Sequence, residues 1–103
     1  MPDSSQLYLE LLVSLASLLR SYTAAHGLNG NRQATVELGA DRVKVRHGDA
    51  WLDLERHGSE VRWQREDGRS GNLEMTEAGT LRGMEGEEEM DMVAEAWARE
   101  LMA

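Results

Sequence analysis

Apolar residues recur at helical spacing near the start of the chain. Leu7, Leu11, Leu15, Leu18 and Tyr22 form one stripe, and Tyr8, Leu12 and Leu19 widen it. The spacing predicts a helix over about residues 5–25, capped by Ser4 or Ser5 and stopped at Gly27. Residues 26–31 then read as a loop.

From residue 32 to 77 the period changes to two, cut by glycine-bearing turns, which is the pattern of consecutive hairpins. Strands are expected over about 32–38, 41–47, 50–57, 60–66 and 72–77. A turn at Gly39 and Ala40 sets Val36 opposite Val43 and Glu37 opposite Arg42. A turn at Gly48 and Asp49 sets Val45 opposite Leu52, Val43 opposite Leu54 and Arg42 opposite Glu55. A turn at Gly58 and Ser59 sets Leu54 opposite Trp63 and Glu55 opposite Arg62. The fourth turn falls within 67–71. A three-residue loop there places Trp63 against Leu73, and a five-residue loop keeps the same faces in phase, so that register stays open.

One face of this sheet collects Ala34, Val36, Leu38, Val43, Val45, Leu52, Leu54, Val61, Trp63, Leu73 and Met75. The other carries Glu37, Arg42, Glu55, Arg62 and Glu74. A one-residue slip would drive charges into the core, so the facing is well specified. Residues 78–86 hold Gly79, Thr80, Gly83 and Gly86 and read as turn, with Thr80 and Leu81 able to lengthen the last strand. A second helix is expected over about 87–102. Its acidic first turn suits the helix dipole, and Met90, Val93, Ala94, Trp97 and Leu101 make an amphipathic stripe. The predicted fold is an α+β two-layer sandwich in one domain, residues 1–103. It has an N-terminal helix, a five-stranded antiparallel meander and a C-terminal helix, with both helices on one sheet face.

Composition narrows the chemistry. The absence of cysteine excludes disulfides, thiolate nucleophiles and Cys-ligated zinc. Residues 7–19 are the most apolar stretch, but Glu10, Ser14 and Ser17 break it and it is too short to span a membrane. No Lys or Arg precedes it, unlike the basic start of a secretory signal, and a cytoplasmic location is expected. Net charge is −8, and most of it lies at the end: Glu85, Glu87, Glu88, Glu89, Asp91, Glu95 and Glu100 face a lone Arg99 after residue 84. Phosphate recognition needs a basic patch, so nucleic acid is not an expected partner.

Four features are candidates for function. On the first helix the apolar arc is about twice the ~100° that one sheet covers. Leu9, Val13 and Ala16 lie beyond its main stripe, and with Leu12 they form a candidate interface for a second copy. Glu85, Glu87, Glu88, Glu89 and Asp91 form an acidic surface that suits a cation or a basic partner, or simply caps a solvated helix. Trp51 alternates onto the charged face near Arg46 and Glu66, where an exposed aromatic can stack on a cation. His26, His47 and His57 flank turns, the latter two at opposite ends of neighbouring strands, so they do not share a metal. No G-x-S-x-G, H-E-x-x-H or phosphate-binding loop occurs.

In element order the chain resembles the frataxin-like fold, and its size and acidity are similar to those of α+β secretion chaperones. The frataxin resemblance implies acidic residues along the first helix and strand, whereas here the helix carries only Glu10 past its cap, so iron binding does not follow. The expected function is a non-enzymatic protein-interaction module, a homodimer through the first helix, with no cofactor. Two alternatives stand beside it: a small-ligand or metal-binding domain with a pocket between helices and sheet, and an acidic decoy of a basic partner.

Overall fold

The computed structural model describes residues 4–27 and 33–103. The expected capping side chains of Ser4 and Ser5 and the loop residues 28–31 lie outside that description, as does the expected strand start at 32. The elements in order are α1 (Ser4–His26), β1 (Thr35–Leu38), β2 (Arg42–His47), β3 (Ala50–His57), β4 (Glu60–Arg65), β5 (Ser70–Met75), β6 (Thr80–Gly83), β7 (Gly86–Glu89) and α2 (Met90–Leu101). The strands form one antiparallel sheet in chain order, and the helices pack on it, giving an α+β fold.

The alternation that specified the facing is realised. Val43, Val45, Leu52, Leu54, Val61 and Met75 are buried on the inner face. The hairpins β2–β3 and β3–β4 take the expected registers, with Val45 opposite Leu52 and Leu54 opposite Trp63. Each is closed by a glycine at the first central turn position, Gly48 at φ 62° and Gly58 at φ 63°, where L side chains are strained.

Two other hairpins shift by a pair. Val36 faces Val45 rather than Val43, and Glu37 faces Lys44 rather than Arg42, so Ala40 and Asp41 make the first turn. Asp41 is fixed there from β3: its carbonyl accepts the Arg56 N–H at 2.7 Å, and its carboxylate pairs with the Arg56 guanidinium at 2.7 Å. In the fourth hairpin Trp63 faces Gly71, and Arg62 faces Asn72 rather than Glu74. Arg62 takes Glu60 as its ion partner instead. A shift by two preserves the facing, which is why the apolar pattern alone did not resolve it.

The sheet has seven strands where five were expected, and the acidic run is a strand where a helix start was expected. Leu81 is the one buried residue of β6, and all four residues of β7 are exposed, so neither strand shows a strong alternation. β7 is held by pairing: Arg82 lies opposite Glu87 and binds its carboxylate at 3.1 Å. The helix begins at Met90, the first residue after β7 with a side chain to bury, at 5% exposed. Glu89 before it is extended, at φ −65° and ψ 145°. Packing therefore outweighs the dipole preference of Glu87 to Glu89, an effect of only ~0.3–1 kcal/mol at the surface.

The helices lie side by side and run parallel. Gly27 at the end of α1 abuts Met102 past the end of α2, while Leu11, Ser14 and Leu18 lie by Met90 and Asp91 at its start. Their contact buries Leu12, Leu15, Ala16 and Leu19 with Ala94 and Leu101. Thr23 is buried here too, and its hydroxyl donates to the Leu19 carbonyl at 2.7 Å, so that hydroxyl is satisfied. At the far end of α2, His47 Nδ1–H donates to the Leu101 carbonyl at 3.1 Å, which ties the β2–β3 turn to one of the helix's unpaired carbonyls.

Candidate functional site

The inner face changes character along the sheet. On β2 and β3 the central inward positions carry Val or Leu. On β5 to β7 they include Gly71, Gly83 and Gly86. Large neighbours lean over the first two. A Cβ on Gly71 would sit 2.7 Å from Trp63 Nε1, and one on Gly83 would sit 2.8 Å from Leu73 Cδ2. Gly86, at φ 131°, has nothing within 4 Å of its own Cβ position. The missing side chains let the indole and the leucine lie down, so the layer beneath α2 is thin there. Above it, α2 presents Val93, the small Ala96 and Trp97.

The result is an open groove of about 750 Å³ between α2 and the β5–β7 edge. Its walls are Trp63, Leu73, Leu81, Val93 and Trp97. The two indoles meet at 6.3 Å between centroids and 58° between planes, a tilted aromatic pair. Glu85, Glu87 and Glu88 line one end of the groove, and Arg69 and Glu100 also line it. Met84, fully exposed, lies in the turn beside the glutamates.

Charge at the two sets of residues is organised differently. Glu100 pairs with Arg69 at 3.1 Å and lies 3.6 Å from Arg65 Nη1. Arg65 is 5% exposed, on the inward face opposite Leu52. Its Nε–H reaches the Trp51 carbonyl at 3.1 Å, and its guanidinium pairs with Glu66 at 3.1 Å. It thus ties β3, β4 and α2 together through a buried cation whose hydrogen bonds are largely met. The Glu66 carboxyl is held below the usual carboxylate range, first by the Trp51 N–H and also by Arg65. The Asp67 carboxyl is lowered by the Arg69 N–H, and hydrogen bonds to Asp67 and Glu100 raise Arg69 in turn. At the acidic end Arg82 takes up Glu87, while Glu85 and Glu88 make no ion pair among the described residues.

The other sequence candidates fall elsewhere. The proposed helix seam is divided by the fold: Leu12 and Ala16 are core residues at 0% and 2% exposed, Leu9 is half-buried, and Val13 is 44% exposed. Leu12 and Ala16 are therefore withheld from any partner, because α2 already covers that flank. The acidic candidates remain at the surface, but on three elements: Glu85 in the β6–β7 turn, Glu87, Glu88 and Glu89 on β7, and half-buried Asp91 in the first turn of α2. Trp51 is half-buried on the charged face opposite Arg46, and its ring takes Lys44 Nζ at 5.6 Å from the centroid. His57 pairs with Glu55 at 2.8 Å, and His26 is exposed. Among the described residues no three His, Asp or Glu side chains are placed to hold a metal ion, and no helix is long and apolar enough to cross a membrane.

The groove residues Trp63, Leu73 and Trp97 were read from the sequence as ordinary core and Gly71, Gly83 and Gly86 as turn residues, and Arg65 was not singled out. Their signal was the inward parity of Gly71 and the isolated Arg65 two residues after Trp63. Both become visible only when the register of β4 and β5 is known. Compared with protein-family models, with curated proteins and with solved structures, the chain matches none.

Proposed function

We propose that this chain is a non-enzymatic interaction module that holds a short segment of a partner protein in the groove between α2 and the β5–β7 edge. The segment has an aliphatic side chain flanked by Lys or Arg. The observation that carries the reading is the pairing of an apolar, tryptophan-walled trough with glutamates at its mouth, of which Glu85 and Glu88 make no ion pair among the described residues. Apolar walls supply the burial, and uncompensated carboxylates select the charge of what enters. The resolved titration shifts, of which only that of Arg69 belongs to a groove residue, give no support to acid–base work. Every resolved shift deepens the charged state: Glu66 and Asp67 are lowered, and Arg69 and Arg99 are raised. A general acid or base near neutral pH needs shifts in the opposite direction.

The test is selection of peptides from a random display library on the intact chain, followed by titration of the selected peptides by tryptophan fluorescence. The expected outcome is enrichment of peptides joining Lys or Arg to Val, Leu or Ile. Their binding should weaken with salt and be lost in Ala96→Trp, which fills the trough from an exposed position. Circular dichroism confirms that the variant is folded. Selected peptides that bind wild type and folded Ala96→Trp equally would overturn the reading, as would enrichment of acidic peptides.

A further inference from the structure

Among the described residues β7 is the last strand of the sheet, and its outer edge carries no strand. The two-residue turn of Met84 and Glu85 closes on the Gly83–Gly86 pair. Ladder bonds in an antiparallel pair alternate from the turn outward, so the N–H and C=O groups of Glu87 and Glu89 point away from β6. All four β7 residues are exposed. The side chains alternate too. Gly86 and Glu88 share the groove face with their partners Gly83 and Leu81, and Glu87 and Glu89 share the outer face with Arg82 and Thr80. The space over Gly86 is open, so one wall of the groove is continuous with a bare strand edge.

Resting on the function proposed above, we infer that the partner segment binds by strand addition. An extended stretch with alternating basic and aliphatic residues pairs with the β7 edge as an eighth strand. Its main chain bonds to Glu87 and Glu89. Its aliphatic side chains turn into the groove over Gly86, toward Leu73 and Val93, and its basic side chains meet the glutamates. Sheet-edge addition supplies affinity through main-chain bonds and specificity through alternate side chains.

Charge decides between this occupant and a second copy of the chain. An open edge is a general template for pairing, and charged side chains on it act against unwanted partners. Two β7 strands brought together would set Glu87, Glu88 and Glu89 against the same residues of the copy, and like charges directly across a pair are destabilising. A strand with basic residues on its outer face reverses the sign of the contacts at Glu87 and Glu89. The three consecutive glutamates therefore repel self-association at this edge and favour a cationic strand there.

The experiment uses a short synthetic peptide alternating lysine and valine, added to the full chain. Binding is followed by tryptophan fluorescence, and the Glu87 and Glu89 amides by NMR-detected hydrogen exchange. Both amides are expected to exchange at least about tenfold more slowly in the complex. N-methylation of the peptide amides in one alternating phase is expected to weaken binding about tenfold or more, while the opposite phase leaves it nearly unchanged. The double charge reversal Glu87→Lys with Glu89→Lys is expected to abolish binding of the lysine peptide and admit one alternating glutamate and valine. A peptide that binds in the groove, is lost in Ala96→Trp, yet protects neither amide and tolerates both methylation phases overturns strand addition while leaving the groove as the site. Failure of this peptide and of every library peptide to bind removes both inferences.

Discussion

The hairpins β2–β4 and the hairpin β6–β7 belong to one sheet but are stabilised by different means. In β2–β4 the central inward positions are filled by Val43, Val45, Leu52, Leu54, Val61 and Trp63, with His47, Ala50, Arg56 and Arg65 toward the strand ends, and the outer face is tied by Arg42 with Asp53 and Glu55. In β6–β7 the inward positions are Leu81, Gly83, Gly86 and Glu88, of which only Leu81 is buried. The first region is held by burial, roughly 1.5–3 kcal/mol for each large apolar side chain. The second is held by ladder bonds and by ion pairs at an exposed surface, which contribute about 0–1 kcal/mol each. Where the inward face is full, the layers close. Where it carries glycine, a groove remains, and the binding capacity proposed here lies on the less stable side.

This contrast can be tested in order of effect. Leu54→Ala removes a fully buried side chain between Val43 and Trp63 and is expected to cost about 2–5 kcal/mol by denaturant unfolding. A loss below about 1 kcal/mol would mean that the β2–β4 region is not the stabilising half. Gly71→Val drives a side chain into the Trp63 indole and is expected to cost about 1–3 kcal/mol, with a changed near-ultraviolet dichroism from the displaced Trp63–Trp97 pair. An unchanged aromatic signal would show that the indole does not rest on the glycine.

Glu66→Gln sharpens the electrostatic side of the comparison with a smaller effect. The folded-state carboxyl titrates below its ordinary value of 4.5, so the ionised form contributes stability above that pH and loses it as pH falls through the folded value. Wild type should be the more stable protein at neutral pH, and the gap to Glu66→Gln should close as the solution is acidified below about 4.5. A gap independent of pH would remove the charge from the explanation. The smallest effect is expected at Val13→Glu on the exposed strip of α1. The variant should remain folded with stability within about 0.5 kcal/mol of wild type. Unfolding would show that Val13 belongs to the core. Light scattering on the same pair reports whether that strip joins two copies: a wild-type dimer split by the substitution would place a seam there.

The hairpins with the clearest alternation were also the most legible. Gly48 and Gly58 stand where a positive φ is needed, and the charges of Arg42, Glu55 and Arg62 align across the strands in the same register as the apolar residues. At β1 the expected register is off by a pair, and at β5 the pattern leaves the register open, because a shift by two keeps the facing. Arg56 reaching Asp41 selects one, and Trp63 lying on Gly71 selects the other. Both are contacts between residues with no regular spacing, so periodicity does not carry them. The acidic run misled for a related reason. Glu87, Glu88 and Glu89 have no apolar partner to reveal a strand, and their charge suits a helix start.

What the sequence determined by itself was the order and facing of the elements: a helix, an antiparallel sheet with one apolar face and a closing helix. That information is local, because side chains on a strand alternate and those on a helix recur every three or four residues. The tertiary structure decided the two extra strands, the parallel pairing of the helices that takes Leu12 and Ala16 into the core, and the groove where Gly71, Gly83 and Gly86 fall beneath α2. Those features depend on which residues distant in the chain come to touch. The stabilisation of a short exposed strand or a buried helix flank resides in its neighbours, and no window of sequence contains them.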